Sequence, residues 1–251
     1  MTKIYSVVSA KGGILKTTLC VNISAELSKK FRTLVIDTDG QSNVAVTFGV
    51  RNSDIKHTLF DCLANGNDIR ESIIKVRENL DIIPAGKGMN SFIKKDGRSV
   101  KDLKNAINMI KEEYNFVVCD CAPSMNFATL QVMVASDEII IPFQAEGYGM
   151  VSIVDTIKAI QEVRSIYNPS LKINSIVVTK YDSRSKIHRK FLQDIQVVTT
   201  RLDIPLATSK IPQTITGANS ILEEQVPVVL SKKWNKLKGI YSNLTQEIIR
   251  L

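Results

Sequence analysis

Six side chains in the 251-residue sequence have the types and spacing that phosphate chemistry needs: Lys11, Lys16 and Thr17 in one glycine-containing stretch, and Asp37, Asp39 and Asp120 at the ends of apolar runs. The stretch Lys3 to Thr18 reads KIYSVVSAKGGILKTT. Ile4, Tyr5, Val7 and Val8 make a β-favouring run, Gly12 and Gly13 break it, and an apolar-periodic helix opens near Leu19. In a strand, glycine loop and helix of this kind, the glycines let backbone N–H groups point inward, and the positive end of the helix favours an anion. Lys16 can then reach the β- and γ-phosphates of a nucleotide, and the Thr17 hydroxyl can ligate Mg²⁺. The general phosphate-loop pattern G-x-x-x-x-G-K-[ST] is missed twice, with Ala10 at the first glycine position and Leu15 at the second.

The carboxylates supply the other half of such a site. Val35-Ile36-Asp37-Thr38-Asp39 is a strand pattern ending in two of them, and Phe116-Val117-Val118-Cys119-Asp120 is one ending in a third. A Mg²⁺-nucleotide site uses carboxylates at the carboxyl ends of strands beside the loop, to hold the metal's water shell and orient an attacking water. One aspartate after a strand is commonly a helix cap. Three of them together with the loop point to a nucleotide.

Around these residues strand and helix patterns alternate. Helical patterns cover Thr17 to Lys29, Ser42 to Phe48, Thr58 to Ala64, Ile69 to Val76, Val100 to Ile110, Phe127 to Ala135, Met150 to Tyr167, Ser185 to Thr199 and Trp234 to Ile249. Strand patterns cover Thr33 to Asp37, Leu80 to Pro84, Phe116 to Asp120, Glu138 to Pro142, Ile173 to Thr179 and Pro205 to Ile211, and Lys87 to Arg98 reads as a loop. The alternation predicts an α/β fold, a mostly parallel sheet with helices on both faces, which gathers the loop, Asp37 and Asp120 at the carboxyl edge.

The sequence resembles the ParA/MinD group of deviant Walker-type P-loop ATPases, and within it the ParA-like DNA partition proteins. The resemblance lies in Lys11-Gly12-Gly13 with Lys16-Thr17-Thr18 (family K-G-G-x-G-K-T-T), Asp37 to Asn43 (D-x-D-P-Q-x-N), Phe116 to Ser124 (F-V-V-x-D-x-P-P-S), and Ala135 to Gln144. It implies a deviant Walker A NTPase fold with ATP and Mg²⁺ as cofactors. It also implies an ATP site at Lys11, Gly12, Gly13, Ile14, Leu15, Lys16, Thr17, Thr18 and Pro212, with Thr17, Asp37 and Asp120 around the metal. Asp39 resembles the residue that orients the hydrolytic water. Lys11, the family's signature lysine, is expected to reach the phosphates of a partner copy in a nucleotide-sandwich dimer. Thr179 to Asp182 and the Ile211-Pro212 turn are the candidates for the base pocket. Gly40 and Ala122 stand where the family has proline, and Leu15 where it has glycine, a position where a side-chain-bearing residue is expected to cost about 1–2 kcal/mol. Hydrolysis is therefore expected to be slow.

Composition sets the outer bounds. With 44% hydrophobic and 23% charged residues, the expectation is one ATPase domain over 1–251 without an N-terminal helix-turn-helix domain. No leader or long apolar run is evident, so a cytoplasmic protein is expected, and the resemblance implies that it is nucleoid-associated. The four cysteines read as buried free thiols, since the C-x-C pair Cys119 and Cys121 lacks further zinc ligands. A net charge of +8 suggests a polyanion partner. The basic clusters at Arg184, Lys186, Arg189 and Lys190 and at Lys232 and Lys233 are the candidates for non-specific DNA binding, which the resemblance implies along with a ParB-like stimulating partner. The alternative is a MinD-like membrane-associated positioning ATPase, suggested by the final-helix stripe Trp234, Leu237, Tyr241, Leu244 and Ile248. Further behind stands a metabolic P-loop enzyme of amide or carboxylate chemistry.

Overall fold

Apolar strands buried on both faces must be covered on both sides, and the chain does this with one twisted sheet. The computed structural model describes residues 2–93, 97–214 and 216–250. Its strands are β1 (Lys3–Val7), β2 (Thr33–Asp37), β3 (Ile74–Arg77), β4 (Leu80–Ile83), β5 (Phe116–Asp120), β6 (Glu138–Gln144) and β7 (Lys172–Thr179). They form a seven-stranded sheet in the order β3-β4-β2-β5-β1-β6-β7. Every neighbouring pair is parallel except β3 with β4.

The helices are α1 (Lys16–Leu27), α2 (Asn43–Thr47), α3 (Leu59–Asn65), α4 (Asp102–Asn108), α5 (Phe127–Ala135), α6 (Gly147–Ile166), α7 (Lys186–Leu202), α8 (Thr216–Glu224) and α9 (Asn235–Arg250). Alternation along the strands divides the core in two. Ile4, Leu34, Ile36, Val117, Cys119, Ile139, Ile141, Ile176 and Val178 face one way, toward α3 to α6. Tyr5, Val7, Val35, Val118, Ile140 and Val177 face the other, toward α1, α2 and α9.

Two sequence assignments change. The Ile69–Val76 stretch is a 3₁₀ turn over Ile69–Ser72 followed by β3, because Ile74 and Val76 lie half-buried against the core while Lys75 and Arg77 point outward. That is the two-residue period of a strand. The Pro205–Ile211 stretch is not a regular strand. It touches β7 through an isolated bridge, Ile176 to Leu206, and a second bridge just beyond both joins Tyr181 to Pro212. Its backbone still serves β7's outer edge: Ile176 donates to Pro205 O (2.8 Å), Ala207 to Ile176 O (2.9 Å) and Ile211 to Val178 O (2.9 Å). Pro205 and Pro212 have no N–H to continue a ladder. α8 has no counterpart in the sequence reading, and residues 94–96 of the expected loop at 87–98 lie outside the described residues.

The final-helix stripe is packed inward, with Leu237, Tyr241, Leu244 and Ile248 buried beside α1. α9 therefore uses on the sheet the face that a membrane-surface helix would need. No helix among the described residues is long and apolar enough to cross a membrane. The cysteines are free thiols, with Cys20, Cys119 and Cys121 buried and Cys62 half-buried.

Candidate nucleotide site

Strand register assembles the site. β5 lies between β2 and β1, with Asp37 and Val7 each paired to Asp120. Two carboxylates thus stand side by side where the glycine loop leaves β1. The loop turns through Gly13 at φ 70° and Leu15 at φ 69°, both left-handed, before α1 begins at Lys16. The strain expected at Leu15 is present, of the order of 1–2 kcal/mol for a residue with a Cβ. The Leu15 side chain offsets part of it by packing, half-buried, against the core on the α1 side.

Lys16 is buried to 7% exposure, and its ammonium donates to Lys11 O at 2.8 Å. Burial holds its pKa below the lysine range, opposed by the nearby Cys121 thiol and the Asp120 and Asp39 carboxylates. Asp37 is fully buried and committed to the following loop: it accepts from Asp39 N (2.9 Å) and Val44 N (3.2 Å). Asp39 in turn accepts from Gln41 N at 3.1 Å. Asp37 therefore shapes the loop carrying Asp39 and can meet a metal's water shell only with its remaining lone pairs.

Asp120 differs. It is fully buried, and among the described residues neither carboxylate oxygen has a hydrogen-bond partner of normal geometry. Burial pushes its pKa up, while the adjacent Thr17 hydroxyl and Lys16 ammonium pull it back. Buried carboxylates are almost always paired, so an orphan beside a Thr hydroxyl and a phosphate-type loop is a donor set that fits a hard divalent cation. A cavity of about 250 Å³ opens over Gly13, Leu15, Lys16, Thr17, Thr18, Asp39, Asn43, Cys121 and Pro123. Ile14, expected at the site, has its side chain buried and does not line this cavity.

Other expected residues fall elsewhere. Pro212 lines a second cavity of about 440 Å³ with Thr214, Lys233, Trp234 and Ile240, and it bridges to Tyr181, so the two stretches expected at the base pocket lie side by side. Arg184, Lys186, Arg189 and Lys190 are exposed together between the end of β7 and the first turns of α7. Arg184 pairs with Asp182 at 2.9 Å, and Arg189 donates to Ser183 O at 2.7 Å. Lys232 and Lys233 are exposed before α9, Lys233 pairing with Glu223 at 2.6 Å. Among the described residues no salt bridge involves Lys186, Arg189, Lys190 or Lys232. At Gly40, where the family has proline, a side chain would meet the Asn90 amide unless that amide moved. His188 accepts from Asp182 N at 3.0 Å and holds the basic loop. Sequence reading missed Glu146, whose carboxylate pairs with the Lys11 ammonium. Its signal was its position just past the carboxyl end of β6.

A parallel sheet whose first strand feeds a glycine loop and helix, with aspartates on the flanking strand ends, defines a P-loop nucleotide-binding protein. Residues 2–173 match the AAA domain family. The chromosome partitioning protein ParA of Myxococcus xanthus is 30% identical over 200 residues, covering 77% of this chain and 70% of that protein. The whole fold superposes on a plasmid partition protein from Borrelia burgdorferi (TM-score 0.79, 22% identity, 99% and 98% of the two chains). It also superposes on a cobyrinic acid a,c-diamide synthase from Mycobacterium smegmatis with bound ATP analog and magnesium (TM-score 0.83, 25% identity, 100% and 95%). The chain belongs to the AAA domain family and, within it, to the ParA-like P-loop ATPases.

Proposed function

We propose that residues 1–251 act as one ATP-dependent DNA partition ATPase. With Mg²⁺ and ATP the protein forms a nucleotide-sandwich dimer, holds DNA without sequence preference, and releases it on hydrolysis stimulated by a ParB-like partner. The observation that carries the reading is Asp120, a fully buried carboxylate that among the described residues has no hydrogen-bond partner of normal geometry, beside the Thr17 hydroxyl and the glycine loop of a ParA-like chain.

The roles follow from position. Loop N–H groups and Lys16 bind the β- and γ-phosphates, Lys16 exchanging its hydrogen bond to Lys11 O for phosphate oxygens. Thr17 and Asp120 hold Mg²⁺, with Asp37 behind them fixing the loop that presents Asp39 to the attacking water. When bound, the metal would neutralise charge developing on the phosphates. Lys11 adds a cation from the partner copy. Until that copy arrives the site is incomplete, and with Leu15 strained in the loop a turnover below about 10⁻² s⁻¹ is expected of the protein alone. A faster rate would refute the slow-hydrolysis part of the reading.

The DNA assignment is supported by electrostatics. α7 begins with Lys186, Arg189 and Lys190 and has no acid in its first turn. Cations at the positive end of a helix are each disfavoured by about 0.3–1 kcal/mol, a cost that bound phosphate removes. The test is binding to a non-specific duplex with ATP, ADP or no nucleotide, at two salt concentrations, with mass measured by size exclusion. Salt-sensitive binding by an ATP dimer alone is the expected result. Replacing Lys186, Arg189 and Lys190 by Gln should flatten the plot of log K against log salt by about 0.9 for each phosphate that is no longer neutralised. An ATP dimer that ignores DNA would overturn the partition reading.

A further inference from the structure

The chain has a single tryptophan, and packing alone does not account for it. Trp234 is half-buried, and its indole N–H is buried with no hydrogen-bond partner among the described residues. A buried indole N–H ordinarily finds a partner, because leaving the bond unmade is costly. Trp234 lines the cavity of about 440 Å³, in which Pro212, Leu237 and Ile240 supply the other apolar surfaces.

This cavity lies at the nucleotide's end of the sheet. α1 leaves the glycine loop at the carboxyl edge, and α9 beside it runs the same way, its Ile248 O accepting from Asn174 Nδ2 (3.0 Å) near the start of β7. The Ser242 hydroxyl donates to Glu26 Oε2 (2.9 Å), which sets the two helices in register. Trp234 opens α9, its carbonyl accepting from Lys238 N (3.0 Å). Counted back equally from the Ser242–Glu26 bond, Trp234 comes level with Thr18, which lines the nucleotide cavity. Leu15 of the glycine loop and Trp234 pack on the same side of the sheet. The Pro212 wall is held past β7 by Tyr181, whose N–H donates to Ile211 O (3.0 Å) and whose carbonyl accepts from Gln213 N (3.2 Å). Those backbone groups are thereby unavailable to read the edge of a base, and Pro212 has no N–H to offer. Pro212 and Trp234 are left with ring faces as their means of binding.

We propose that Trp234 is the base-stacking residue of the nucleotide site, selecting a purine by the area of its ring. This rests on the reading of the glycine loop as an ATP site. Stacking on an aromatic face is sensitive to ring size and tolerant of the base's edge. It also accounts for an indole kept with its N–H unpaired.

The experiment uses the full chain with Mg²⁺ and ADP, CDP or inorganic pyrophosphate, diphosphates being chosen so that ATP-driven dimerisation does not contribute. Calorimetry reads binding, and the emission of the single tryptophan reads the cavity. ADP should change that emission saturably, with the dissociation constant that calorimetry gives, whereas pyrophosphate should bind without changing it. Trp234→Ala should weaken ADP roughly five- to fifty-fold and bring it close to CDP, leaving pyrophosphate within about twofold. Trp234→Phe should stay within about threefold of the wild type, thermal melts verifying that both variants fold. Unperturbed emission at saturating ADP, or Trp234→Ala binding ADP as tightly as the wild type, overturns the proposal alone. A wild type that binds neither ADP nor pyrophosphate overturns the nucleotide-site reading and this inference with it.

Discussion

The two ends of the sheet differ at one buried carboxylate. Asp37 at the carboxyl end is bonded to backbone N–H groups, but Asp120 beside it has, among the described residues, no counterpart to the side-chain pairs of the amino end. At the amino end, Asp81 accepts from the Tyr114 hydroxyl (2.8 Å) and from Arg32 (3.3 Å), and Glu138 accepts from Lys3 (2.6 Å) and Asn174 (2.7 Å). At the carboxyl end, Asp120 is more deeply buried than either and has no such partner among the described residues. Folding alone explains the first arrangement, since a paired buried charge fixes strand ends. It does not explain the second, which makes the free protein less stable and is retained only if something outside the chain completes it.

The largest effect expected from this contrast is at Asp120. Asp120→Asn should lower ATP turnover on the order of 10²-fold or more. The same change should raise the stability of the nucleotide-free protein by about 1–3 kcal/mol, since a neutral amide is less costly to bury than a carboxylate. Turnover assays and urea unfolding without Mg²⁺ measure the two. The amino end should respond in the reverse sense: Asp81→Asn is expected to lose about 1–3 kcal/mol in urea unfolding while nucleotide affinity stays unchanged. If Asp81→Asn stabilised the protein, the contrast between the ends would fail.

A smaller effect tests the strain in the loop. Leu15→Ala keeps the unfavourable left-handed backbone and loses the packing, whereas Leu15→Gly loses the packing and relieves the backbone. Leu15→Gly should therefore be the more stable of the two by about 1 kcal/mol in thermal or urea melts, the reverse of the usual Ala-over-Gly order beside a helix. The smallest effect belongs to Lys3→Met, expected to cost less than about 1 kcal/mol because Lys3 is partly exposed and Asn174 still serves Glu138.

What sequence can convey follows the same division. β5 and α5 are legible to the residue, because a continuous apolar run ending in Asp120 and an apolar helix capped by Asn126 are local signals. Lys16, Thr17, Asp39 and Asp120 are legible as a group because loop and strand-end positions imply each other in a parallel sheet. β3 is not: Ile69, Ile73 and Val76 fit a helical spacing, and only pairing to β4 decides for a strand. Pro212 is placed at the nucleotide by resemblance alone; the fold pairs it with Tyr181 and sets it beside Trp234 in a second cavity. Glu146 carries no motif of its own. Only the fold brings it to the loop, through an ion pair with Lys11 across 135 positions of sequence.

The irregular segment along β7 has a consequence for how copies of this protein can gather. An exposed, regular strand edge is a template on which another chain can add a strand, and stacked additions of that kind lead to fibres. Here the 205–212 segment occupies β7's outer hydrogen-bonding groups, and the opposite border is the four-residue β3, irregular in register and carrying outward Lys75 and Arg77. Neither border offers a clean ladder. Where copies of this chain crowd together, a sheet closed off at both sides leaves association to its surfaces, where it can be reversed.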